Sequence, residues 1–181
     1  NVVSATTEGM LAKAMIVYSS TAAPGGTYPE DKRWTGSGWT SEYTLPVVTT
    51  TSPRNVVLRT EPAGGNTRMA AIKDQGGNFF INSWDGLAWS SGVTGVALPN
   101  NVYRQFDLAY EQTPQPDGTY RAIAVYSLSA SNTVLKYRLW DGVAWGAETA
   151  MPAPVTTGSI YWVRLENKPG TGDIMAVWSD S

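Results

Sequence analysis

The chain has 181 residues, 13 Lys and Arg against 15 Asp and Glu, and neither Cys nor His. That length holds one domain with a sizeable core, and the near-balanced charge lacks the footprint of a nucleic-acid or anionic-membrane binder. The missing residue types exclude disulfides, Cys/His metal centres, Cys nucleophiles and His-based triads, so no metal and no cofactor is expected.

No apolar run approaches the roughly 18 residues that a membrane helix needs, so no membrane partner is expected. Thr, Ser, Gly, Val and Ala are abundant, which suits short strands and polar turns. Asn1 opens the chain without a methionine, as expected of a processed product or of a piece of a longer protein.

In chain order, "NVVSATTE" ends at Glu8 and the apolar run "AMIVYSS" follows from Ala14. "EDKRW" then leads to Trp34, a Gly-rich turn to Trp39, and the segment ends at Leu45-Pro46. The succession starts again with "NVVLRTE" to Glu61, "MAAIKDQ" from Met69, "NFFINSW" to Trp84, then Trp89 and Leu98-Pro99. A third pass runs "YRQFDLAYE" to Glu111, "AIAVYSL" from Ala122, "VLKYRLW" to Trp140, then Trp145 and Met151-Pro152. Finally "IYWVRLE" ends at Glu166 and "IMAVWSD" starts at Ile174. Pro46, Pro99 and Pro152 are evenly spaced.

Each unit therefore has four parts, of which the last unit carries two. A period of roughly 50 residues with four short strands predicts the four-stranded antiparallel blades of a β-propeller; a β-sandwich is the alternative. The expectation is an all-β single domain over 1–181, with repeats at about 1–54, 55–102, 103–159 and, in part, 160–181. Three and a half blades do not close a ring. The chain is thus expected to be a fragment of a larger propeller, or to self-associate through the unpaired edge at 174–180.

The paired tryptophans flank turns with Asp85-Gly86, Asp141-Gly142 and Thr35-Gly36. Whether the loop has two residues or four, their odd separation puts both indoles on one face of a hairpin. Inter-sheet packing is the expected role, ahead of ligand stacking.

The repeated Glu8, Glu61, Glu111 and Glu166 are expected to accept N–H groups in the following turn. Arg59 and Arg164 each stand two residues before such a Glu, which gives them a strand face in common with it. They are read as ion pairs or as a fork for sugar hydroxyls and carboxylates. The carboxylates that do not repeat, Glu30, Asp31, Glu42, Asp107 and Glu148, show no convergent spacing, so no catalytic residue is expected. Three aromatics follow a valine at one register: Tyr18, Tyr126 and Trp178. They are the candidate ligand-stacking residues, with edge packing weighed ahead of that role. Lys73 takes that place in the second copy, which makes that unit the weakest site.

The succession "RAIAVYS…NTVLKYRLWDGVAWG" resembles the blade repeat of fucose-binding propeller lectins. It is similar in its apolar strand followed by a second strand that enters a Trp/Asp/Gly hairpin and a further Trp. The resemblance is one of pattern over nearly the whole chain; the second and third copies have no Glu where those lectins hold the sugar. It implies a non-catalytic extracellular or cell-surface module, structural or binding a glycan or a cell-surface protein. The alternative is part of a glycoside-acting propeller enzyme.

Overall fold

Period-two alternation in segments rich in β-branched and aromatic residues folds as strand. A computed structural model describes residues 14–19, 28–46, 51–62, 67–99, 102–129, 131–152 and 158–181. β1 (Ala14–Ser19), β2 (Pro29–Trp34) and β3 (Tyr43–Thr44) form a first sheet. β4 (Pro53–Thr60), β5 (Arg68–Asp74), β6 (Asn78–Trp84) and β7 (Trp89–Ala97) form a second. β8 (Phe106–Tyr110), β9 (Ala122–Leu128), β10 (Ser131–Trp140) and β11 (Thr149–Ala150) form a third, and β12 (Ile160–Asn167) pairs with β13 (Ile174–Asp180). The chain is all-β with four-stranded antiparallel sheets, and no α-helix occurs among the described residues. Glu8 and the first part of the first repeat lie outside the described residues.

Both faces of the inner sheets are apolar, so each sheet packs on two neighbours. Ala70, Ile72 and Phe80 join Leu45 and Val17 between the first and second sheets. Met69, Phe79 and Ile81 meet Phe106, Leu108 and Tyr126 between the second and third. Val125 and Leu135 meet Ile160, Val163 and Leu165 between the third sheet and the β12–β13 ribbon. β4 lies against β8, and β8 against β12, so the opening strands of successive sheets are neighbours.

The three Trp hairpins have one geometry. Trp84 pairs directly with Trp89, Trp34 with Trp39 and Trp140 with Trp145, which makes each loop four residues long. The tilted rings stand 5.6 Å apart in the second sheet and 5.7 Å in the other two. Asp85 Oδ1 accepts the N–H of Leu87 and of Ala88, both at 2.8 Å, and Asp141 does the same for Val143 and Ala144. In the first copy Thr35 Oγ1 accepts from Ser37 and Gly38 instead. The N–H bonds hold the Asp85 and Asp141 carboxyls below the usual aspartate range.

The repeated Leu/Met before Pro is a second anchor. Leu45 N–H donates to Pro29 O, Leu98 to Gly77 O and Met151 to Leu135 O, at 3.0, 2.8 and 2.9 Å. Each side chain enters the contact with the following sheet.

Strand pairing corrects two sequence alignments. The hairpin residues Trp34, Trp84 and Trp140 pair with Ala14, Arg68 and Ala122, which makes these three equivalent. Counting from them, Tyr18 and Tyr126 correspond to Ile72, and Lys73 is one position further on. The two share no face, because side chains alternate along a strand. The turn after the opening strand is closed by Glu61 N–H to Thr67 O, Glu111 to Arg121 O and Lys168 to Asp173 O. Lys168, and not Glu166, is therefore the counterpart of Glu61 and Glu111.

Candidate functional site

Strand alternation gives Trp162 and Arg164 of β12 one face, the one turned away from Val163 and Leu165 in the core. On the neighbouring strand Val177 is the partner of Arg164, and Ser179 of Trp162. With Arg104, Val163 and Trp178 these residues line a cleft of about 380 Å³ at the β12–β13 ribbon. The Trp162 ring is half exposed, and the Arg104 guanidinium lies over it at 5.6 Å from the centroid.

Arg104 is held in place from behind. Its Nη2 contacts Val163 O at 3.4 Å and Asp107 Oδ2 at 3.7 Å, and its own carbonyl accepts the Val163 N–H at 3.1 Å. Asp107 is fully buried and also accepts the N–H groups of Leu108 and Leu165, both at 2.9 Å. Arg164 pairs with Glu166 on its own strand, as their shared face leads one to expect. The cleft thus presents an open indole face and two guanidinium groups, with one carboxylate at its edge; Trp178 lines it, but its ring shares the Val163 face and packs in the core. That set can stack a flat apolar ligand face and donate hydrogen bonds to hydroxyl or carboxylate oxygens.

Of the five residues singled out in the sequence, the structure brings Trp178 and Arg164 into this cleft. It does not bring the other three to it. Arg59 reaches from β4 to Asp107 Oδ1 at 3.1 Å, a contact between sheets. Tyr126 is fully buried between the second and third sheets, so its ring has no face for a ligand to stack on. Its hydroxyl donates to Glu148 Oε2 at 3.0 Å and accepts from Arg138 Nε at 3.1 Å. Burial pushes this phenol up to about 12, against the opposing pull of Arg138. Tyr18 lies half buried on the first sheet, and donates to Glu42 Oε1 at 2.6 Å. Lost hydration and Glu42 raise it to about 12.

At this register Tyr126 and Trp178 pack within cores, whereas Tyr18 belongs to none of the hydrophobic clusters among the described residues. Ile72, Tyr126 and Trp178 each face the preceding sheet within a core. Among the repeated glutamates, Glu61 accepts the Thr67 N–H at 3.2 Å, the turn role expected of it. Glu111 accepts the Gln115 side-chain amide at 2.7 Å instead.

Sequence reasoning missed Arg104 and Trp162. The alternation Trp162-Val163-Arg164-Leu165 did signal an aromatic and a cation on one strand face. Nothing local marks Arg104, because it joins the cleft through contacts made across sheets. No protein-family model and no curated protein matches this sequence.

Proposed function

We propose that the chain is a non-catalytic β-propeller-type module that binds a glycan bearing hydroxyl and carboxylate groups at the Trp162/Arg164 cleft. The observation that carries this reading is the open Trp162 indole flanked by the guanidinium groups of Arg104 and Arg164. Sugars present C–H faces to aromatic rings and oxygens to donors, and Arg binds carboxylates in a fork. The propeller part of the reading is supported by sheets that stack face on face in chain order, with β4, β8 and β12 as neighbours. The resemblance to propeller lectins agrees with it. A glycan reader works outside the cell or at its surface, and that location belongs to the same proposal. So does self-association through the β13 edge, which a concentration-independent monomer in sedimentation would remove.

The test is a glycan array with neutral and acidic sugars, followed by titration of Trp162→Ala and Arg164→Met. Binding to uronic- or sialic-acid glycans, weakened at least tenfold in both variants, is expected. Binding that ignores both substitutions, or none to any glycan, overturns the proposal. Among the described residues that line the cleft there is no pair of carboxylates, which favours binding over glycoside hydrolysis.

A further inference from the structure

A second cavity, of about 260 Å³, lies between the second and third sheets near the turns that follow β4 and β8. Glu61 and Thr67 contribute one wall, and Tyr110, Asp117, Tyr120 and Trp140 the other. It differs from the cleft in sign: two carboxylates stand on its walls, and no lysine or arginine lines it among the described residues.

Tyr110 supplies an independent pointer to a ligand. Its side chain is only 3% exposed, yet its hydroxyl has no hydrogen-bond partner in the protein. Buried hydroxyls are normally paired, and each exception calls for an explanation. Burial and the neighbouring Glu61 carboxylate both raise this phenol above its ordinary value, so the O–H stays protonated at neutral pH. Contacts among the lining residues fix the walls. Asp117 Oδ1 is held by the N–H and hydroxyl of Thr119, at 3.0 and 2.7 Å. Gly142, at φ 108°, lets the Trp140 hairpin lie directly on Thr119, since a Cβ there would come within 2.8 Å of the Thr119 Cβ.

We infer that this cavity binds a small organic cation, an alkylammonium or quaternary ammonium group, between the Glu61 and Asp117 carboxylates and the rings of Tyr110, Tyr120 and Trp140. Aromatic faces attract such cations through the ring quadrupole, and the carboxylates supply the counter-charge. The volume limits the occupant to a small headgroup, because drug-sized ligands occupy roughly 300–1,000 Å³. The Tyr110 hydroxyl would accept or donate one bond to a polar substituent on the ligand. Arg121 acts on Asp117 from outside the lining, and no lysine or arginine stands beside Glu61 among the described lining residues, which leaves the Glu61 charge for a ligand.

The experiment titrates the whole chain with choline chloride and, separately, with glucose, following the Trp140 indole and Thr119 amide resonances. Saturable shifts with choline, weakened at least tenfold by Glu61→Gln and several-fold by Tyr110→Phe, are expected. Sodium chloride at matched ionic strength should leave the resonances in place. Removing an unpaired hydroxyl creates no new orphan, so Tyr110→Phe should keep or raise the Tm and serves as the variant that certainly reports binding. Saturation by glucose with no response to choline overturns the charge assignment. No saturable shift with choline, or choline binding indifferent to Glu61→Gln, overturns the site. The acidic-glycan cleft uses other residues and ligands of opposite charge, so either result is independent of it.

Discussion

Gly92 on β7 lies directly under the indole of Trp145 from the third sheet: a Cβ on Gly92 would come within 2.8 Å of Trp145 Cδ1. This contact shows how the Trp hairpin of one sheet is received by the sheet before it. The receiving strand gives up a side chain so that an indole can lie on its backbone. Gly92→Ala should force the indole or β7 to shift and destabilise the protein by about 1–3 kcal/mol. Gly38→Ala is the control, since nothing lies within 4 Å of the added carbon there. Urea denaturation of both variants checks the difference; equal midpoints would show that the Trp145 contact carries no packing constraint.

The same stacking grades the tryptophans. Trp84 is 2% exposed and carries the Arg33 guanidinium at 4.1 Å over its ring, whereas Trp39 is 49% exposed. Trp84→Ala should cost about 3–5 kcal/mol, and Trp39→Ala less than about 1 kcal/mol. Trp145 is half buried against the core shared by the second and third sheets, so Trp145→Ala should fall between these limits. Thermal or urea unfolding of the three variants gives the order.

Asp107 ties three sheets together. It is buried on β8, receives Arg59 from β4 and accepts the Leu165 N–H on β12. Asp107→Ala leaves the Arg104 and Arg59 charges and the buried N–H groups of Leu108 and Leu165 without this acceptor, and should cost about 3–5 kcal/mol. Asp107→Asn keeps one acceptor oxygen and should cost less. A difference of under about 0.5 kcal/mol between the two, measured by denaturation, would mean that charge and pairing matter little here.

These contacts mark where sequence reading ends. The strands, their antiparallel order and the one-face pairing of the tryptophans were all legible, because alternation and turn chemistry act within about ten residues. The partners of Asp107 and Arg59 were not, since they meet only once sheets stack and spacing along the chain says nothing about stacking. Aligning the second copy by its apolar run put Lys73 in the place of Tyr126. Strand pairing puts Ile72 there, and a one-residue slip exchanges the two faces of a sheet. Glu166 was misaligned for a similar reason: its distance from the turn differs by two residues from that of Glu61. In the candidate cleft, Trp178 and Arg164 stand on neighbouring strands, while Arg104 comes from the segment that leads into β8.

Lys73 makes stability depend on pH. It is fully buried, and its Nζ donates to Tyr103 O at 3.0 Å and to Gln105 Oε1 at 2.8 Å. Gln105 in turn donates to Ile160 O at 2.9 Å, so the lysine begins a polar chain across three sheets. Burial, with Arg54 adding to it, lowers the ammonium from the ordinary 10.5 to about 8. Below pH 8 both the folded and the unfolded chain carry the proton, and the cost of burying the charge is constant. Between about pH 8 and 10.5 the folded chain has released it and the unfolded chain has not, so stability rises with pH. The full rise from this group is on the order of 3 kcal/mol. Tyr126 works in the opposite sense: its phenol titrates at about 12 in the folded chain against 10.0 ordinarily, so stability falls as pH rises from 10 towards 12. Urea denaturation from pH 7 to 11 should therefore show a maximum near pH 10. Lys73→Met should flatten the rising limb and leave the falling limb in place. A rising limb that survives Lys73→Met would assign the titration to another group.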